Sequence, residues 1–189
     1  MAPRQPVTGT LASRFRRFFE FAAGTSALLV SFCGVMLMML LVFPSLPIHG
    51  EMIDLKLHYD LAQIQTLMLQ YGADGRAVYA LASPTLDTLF PMLYVTFFSG
   101  LLYRFRPTEP LWVVAFIPVF AGAWDMCENI QITVMLLQFP DLGAGQVGVA
   151  SFFTSVKHLL SAVYESMAVV FLVIFVARRL RRVPKRDAN

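Results

Sequence analysis

The sequence predicts an all-α protein: an integral membrane four-helix bundle with a short amphipathic helix in its first extracytoplasmic loop. Three observations carry this expectation. The 189 residues are 57% hydrophobic and only 14% charged, where soluble domains carry about a quarter charged residues, and the mean hydropathy is +0.64. Four apolar runs, at about 20–43, 77–103, 111–138 and 149–177, each reach the ~20 helical residues needed to cross a hydrocarbon core of ~30 Å. The basic residues, finally, collect at the ends of these runs.

That clustering orients the chain. Arg4, Arg14, Arg16 and Arg17 precede the first run, Arg104 and Arg106 separate the second from the third, and Arg178, Arg179, Arg181, Arg182, Lys185 and Arg186 follow the fourth. The other two connections are acidic or nearly uncharged. By the positive-inside rule both termini are cytoplasmic, which an even number of spans requires. The expected organisation is a cytoplasmic tail over 1–19, a four-span domain over 20–178 and a basic cytoplasmic tail over 179–189, with both tails polar and mobile at their ends. A net charge of +3 distributed in this way implies no nucleic-acid partner.

The first run carries no charge after Glu20. It is longer than the ~7–15 residues of a signal-peptide core, and LVFPSLPIHG offers no small-residue cleavage site, so it is read as a retained membrane helix. Cys33 and Cys127 fall inside spans without a CxxC pairing. That removes quinone-coupled thiol chemistry and leaves both as small buried residues.

Between the first two spans, DLAQIQTLMLQYG places Leu61, Ile64, Leu67, Met68 and Tyr71 on one helical face. Asp60 as N-cap with Gln63 three residues on forms a capping box, Tyr59 is placed to staple onto Ile64, and Gly72 is the stop. This helix, over about 61–71, is expected to lay its apolar face on the mouth of the bundle, because it lacks the cationic face of interfacial helices.

Inside the second span Pro84 and Pro91 remove backbone donors, and Pro91 frees the carbonyl of Asp87. Pro118 does the same for Val114 in the third. Such groups need partners from neighbouring helices.

The polar residues inside the spans carry the functional reading. Asp87 and Tyr94 share a face of the second span with Ser83 and Pro91. Asp125, Glu128 and Asn129 cover roughly a 100° arc of the third, and Thr154, Lys157, His158, Ser161, Tyr164 and Glu165 one side of the fourth. A charge at the bilayer centre costs ~2.5–3.5 kcal/mol or more, so six ionisable groups facing lipid are prohibitive. The three stripes are expected to meet at one shared polar site in the outer half of the bilayer. Four acids against Lys157 and His158 leave that site acid-rich, so it holds a proton or a bound cation at neutral pH.

Three uses of such a site stay open. One is the binding or movement of a small or amphipathic ligand, with or without coupling to a proton. The second is acid–base chemistry on a lipid or isoprenoid, and the third a structural or partner-binding scaffold held by a buried lysine–carboxylate network. No metal is assigned: the paired Glu-x-x-His spacing of carboxylate-bridged centres is absent, and Lys157 competes for the acids. No phosphate-binding glycine loop, hydrolase elbow or nucleotide motif is present, so no cofactor is expected. The expected partners are the bilayer and a lipid-like or small-molecule ligand, and nothing in the sequence sets an oligomeric state.

The runs Gly75-Arg76-Ala77-Val78-Tyr79, LDTLFPMLY (86–94), FAGAWDMCENIQI (120–132) and SFFTSVKHLL (151–160) together resemble a family of uncharacterised bacterial four-transmembrane-helix membrane proteins. The resemblance implies the bacterial inner membrane as location and no particular activity. A likeness of topology alone, without their residue motifs, extends to sterol isomerases and sigma-2-type receptors and implies a hydrophobic ligand.

Overall fold

The computed structural model describes residues 11–181, and within them every regular element is helical. Four stretches, Thr25–Ser45, Leu61–Phe105, Glu109–Gln138 and Ala144–Arg181, are long and apolar enough to cross a membrane. Large apolar side chains stand exposed along them, Leu29, Leu40, Val169 and Val173 among others, as lipid rather than water requires. The chain is a multi-pass membrane protein built as an all-α four-helix bundle.

Helix α1, Leu11–Ala22, lies in the stretch expected as a tail and takes in the first residues of the expected first span. Phe15, Phe18, Phe19 and Ala22 recur at helical spacing, and Phe19 and Ala22 are completely buried. Phe19 meets Phe116 edge-on at 4.8 Å and lies near Tyr103 and Trp112, while Arg16 reaches Glu109 at 3.4 Å. The chain turns at Ala23 and Gly24, and the first span, α2 (Thr25–Leu37), starts there rather than at residue 20. Its last turns widen, with the Phe43 N–H reaching Met38 O, because Pro44 and Pro47 cannot continue the helical hydrogen bonding.

Helix α3 runs from Leu61 to Phe105. Its start is the expected capping box: Gln63 N donates to Asp60 Oδ1 at 2.8 Å and Asp60 N to Gln63 Oε1 at 3.0 Å. Gly72, with φ 66° and ψ 179°, interrupts the helix as expected. The span nevertheless resumes at once, without a separating loop, four residues before the expected start. Ile64, Leu67, Met68 and Tyr71 pack with Ile132, Met135, Leu136, Val147 and Ala150, so the apolar face does cover the mouth of the bundle. Beyond Gly72 the helix passes Pro84 and Pro91 with helical φ/ψ.

A 3₁₀ turn at Glu109–Ala115 leads into α4, Phe116–Gln138. Pro118 lies in the first turn of α4, where a missing N–H costs little. The final helix, α5, spans Ala144–Arg181, beginning five residues before and ending four after the expected span of 149–177. Arg179 and Arg181 thus sit on helix rather than in the expected tail, and Arg178 donates to Pro107 O at 2.9 Å. The expectations for Arg4, Arg182, Lys185, Arg186 and the two chain ends lie outside the described residues.

Helix α3 is the hub, packing on α1, α2, α4 and α5, and α4 also packs on α5. Among the spans α2 rests on α3, and it forms no close seam with α5. Cys33 and Cys127, expected to be buried, are exposed on the outer faces of α2 and α4. A thiol is apolar enough for lipid to host it.

Candidate functional site: a polar cluster beside an apolar cavity

Each of α3, α4 and α5 carries polar residues on its buried stripe, Ser83 and Asp87 on α3, Asp125, Glu128 and Asn129 on α4, and Ser151 and Thr154 on α5. On α4 that stripe is continuous: Pro118, Ala121, Gly122, Asp125, Glu128, Asn129, Ile132, Met135 and Leu136 are all buried. Small residues occupy one end, polar residues the middle and apolar residues the loop end. The middle of this stripe meets the polar stripes of its neighbours.

Lys157 of α5 is the cation of the cluster. Its Nζ lies 2.6 Å from Glu128 Oε2 and 3.6 Å from Asp125 Oδ1, with side chains 11%, 0% and 8% exposed. The close contact with Glu128 Oε2 is ionic and lies off the direction of a well-formed hydrogen bond. The other Glu128 oxygen accepts from Thr154 Oγ1 at 2.7 Å, and Thr154 Oγ1 lies 3.1 Å from the hydroxyl of Tyr59. Burial, ahead of every other influence, pushes the Tyr59 phenol up, so it stays neutral. With Thr154 donating to the carboxylate, Tyr59 donates to Thr154. On the far side Tyr94 of α3 donates to Asp125 Oδ2 at 3.0 Å.

Asn129 spends its amide on the backbone, donating from Nδ2 to Asp87 O at 2.8 Å, the carbonyl that Pro91 frees. Its own carbonyl accepts from Ser83 Oγ at 3.1 Å. The Asp87 carboxylate is treated differently. The residue is 6% exposed, yet neither of its side-chain oxygens accepts a hydrogen bond from the described residues, and Oδ2 is buried outright.

A loop closes one end of the cluster. Its 3₁₀ turn, Ile53–Leu55, presents the carbonyl of Asp54 to both Lys157 Nζ, at 3.2 Å, and His158 Nε2, at 3.1 Å. Tyr79 of α3 holds the turn from below, donating to Asp54 Oδ1 at 2.6 Å and accepting from Ile53 N at 3.1 Å. Ser151 adds a bond from Tyr59 N at 2.9 Å.

Between α2, this loop and the faces of α3 and α5 lies a cavity of about 770 Å³. Its walls are mainly apolar and aromatic: Phe32, Val35 and Met36 of α2 face Phe90 and Phe98 of α3. Asp87, Tyr94, Asp125, Asn129, Lys157, His158, Ser161, Tyr164 and Glu165 reach it. Glu128 and Thr154 do not line it; they stand behind Lys157 and fix its position. Tyr164 stacks on Tyr94 at 6.1 Å, and Glu165, exposed on the α5 side, makes no hydrogen bond or ion pair among the described residues. No cluster of metal-ligating side chains occurs among the described residues.

The structure thus gathers the sequence-derived residues into one region, in two layers. It also adds Asp54, Tyr79 and the hydroxyl of Tyr59, and it keeps Ser83 on the expected polar face of α3. Tyr79 was detectable, because positions 79, 83, 87, 91 and 94 continue one helical stripe. Asp54 carried no such signal, since nothing local dictates that a loop folds back over the spans. Set against protein-family models, curated proteins and solved structures, the chain matches none.

Proposed function

We propose that this protein binds or moves a small amphipathic molecule, received from the membrane into the cavity between α2 and α5. The observation that carries this reading is the cavity itself. About 770 Å³ falls within the ~300–1,000 Å³ of ligand sites, and apolar walls with a few convergent polar groups are their usual lining. A scaffold fastened only by Lys157 and its carboxylates needs no such space. The absence of a close α2–α5 seam gives the molecule a sideways path from lipid. Catalysis is the weaker reading, because Asp125, Glu128 and Lys157 are engaged with one another and with Tyr94 and Thr154.

Within this reading the chain resides in a bacterial inner membrane with both termini cytoplasmic, as the arginines at one end of the bundle favour. The loop carrying Asp54 then closes the cavity on the extracytoplasmic side, and the resemblance to bacterial four-span proteins agrees with this placement. Native mass spectrometry of gently solubilised protein tests the reading. A small-molecule or lipid adduct is expected on the wild type, weakened in Asp125→Asn and in Ser161→Phe, which places a ring in the cavity. Clean wild-type protein, or an adduct indifferent to Ser161→Phe, overturns it.

A further inference from the structure

The charges around the cavity do not balance, and the imbalance has a location. Taken element by element, α2 contributes no carboxylate, amine or imidazole, the loop contributes Glu51 and Asp54, α3 Asp87, α4 Asp125, and α5 Lys157, His158 and Glu165, with the phenols of Tyr94 and Tyr164 beside them. Most are matched. Glu51 pairs with Lys56 at 2.6 Å, Asp54 accepts from Tyr79, and Asp125 shares Lys157 with the buried Glu128. His158 is turned to the Asp54 carbonyl. Two carboxylates remain, Asp87 and Glu165.

Asp87 is the informative one. Its side chain lines the cavity, the residue is 6% exposed, and it is without a hydrogen-bond donor among the described residues. A buried acceptor left unsatisfied costs free energy that a bound donor recovers. Lys157 cannot serve, being held on α4 carboxylates and the Asp54 carbonyl. The nearby Tyr94 ring, stacked on Tyr164, and the Phe90 and Phe98 rings supply aromatic surface that favours a cation over an anion.

Building on the reading of the cavity as a ligand site, we propose that its occupant is an amphiphile with a protonated amine head, whose N–H binds the Asp87 carboxylate while its hydrocarbon tail lies between α2 and α5. Glu165 faces the same cavity and adds negative field near the cleft, so the amine meets a carboxylate on its way in. An N–H is required as well as a charge, because Asp87 is short of a donor.

The full chain in nanodiscs, with protein-free nanodiscs subtracting partition into lipid, tests this with dodecylamine, dodecanol and dodecyltrimethylammonium as probes. The expected result is saturable dodecylamine binding at least about tenfold tighter than either other probe, the range of one charge-assisted hydrogen bond. That preference disappears in Asp87→Asn and shrinks in Glu165→Gln. Equal affinity for the amine and either other probe, or an amine preference that survives Asp87→Asn, overturns the proposal. These wild-type ratios decide the matter even where Asp87→Asn fails to fold. Saturable binding of all three probes alike leaves the cavity standing as a ligand site and removes only the amine; saturable binding of none removes both.

Discussion

Asn129 of α4 donates its side-chain amide to the main-chain carbonyl of Asp87 at 2.8 Å, closing the gap in α3 that Pro91 opens four residues later. A sequence defect in one helix is thereby repaired by a polar residue of the next, in a solvent that offers no water to do so. The same bond fixes the turn of α3 that carries the unsatisfied Asp87 carboxylate.

Replacing Asn129 with Leu strands that carbonyl. A loss of about 1–3 kcal/mol is expected, read as a lower unfolding midpoint in detergent. Pro91→Ala returns an N–H to α3 and recovers much of the loss in the double variant. Additive losses in the double variant contradict the relationship.

Lys157→Met leaves Asp125 and Glu128 buried beside each other without their cation. The expected cost is about 3–5 kcal/mol, again as a lowered midpoint. Adding Glu128→Gln removes one of the stranded charges and restores part of the stability. A double variant less stable than Lys157→Met alone counts against the ion pair as described.

Tyr79→Phe removes the hydroxyl that holds both Asp54 Oδ1 and the Ile53 N–H. Loss of about 1 kcal/mol of local stability makes amide exchange over the 3₁₀ turn Ile53–Leu55 about fivefold faster. Exchange in α4 stays as in the wild type. Unchanged exchange at the turn means that the loop is held by something else.

Gly100→Ala drives a methyl group into the carbonyl of Ala22, well inside contact distance, where the α1–α2 turn crosses α3. Backbone cannot yield as a side-chain tip does, so a loss of about 1–3 kcal/mol is expected. Gly145→Ala, inside the first turn of α5 with open space around it, serves as the control that does not destabilise in thermal unfolding.

The sequence carried the bundle because lipid leaves the chain few choices: apolar length, terminal arginines and the Asp60 box each report a local requirement. It carried the inward turn of Asp125, Glu128, Asn129 and Lys157 for the same reason. What it did not carry depends on contacts between distant segments. Helix α1 was expected as a tail although Phe15, Phe18, Phe19 and Ala22 stand at helical spacing, because only Trp112, Tyr103 and Phe116 give that face a surface to dock on. The two-layer order of the site, with Glu128 behind Lys157 rather than on the cavity wall, follows from helix rotation finer than a 100° stripe resolves. The Asp54 turn is set by Tyr79, 25 residues away.

Photolabelling of the reconstituted protein with an alkyl-diazirine amphiphile reads directly whether the cavity inside the helices takes up an amphiphile from the surrounding lipid. Peptide mapping is expected to find label at Phe32, Val35, Met36, Phe90 and Phe98, saturating with dose and suppressed by Ser161→Phe. Label confined to the lipid-facing side chains of Val169, Val173 and Leu29, rising without saturation and indifferent to Ser161→Phe, would contradict uptake into the cavity.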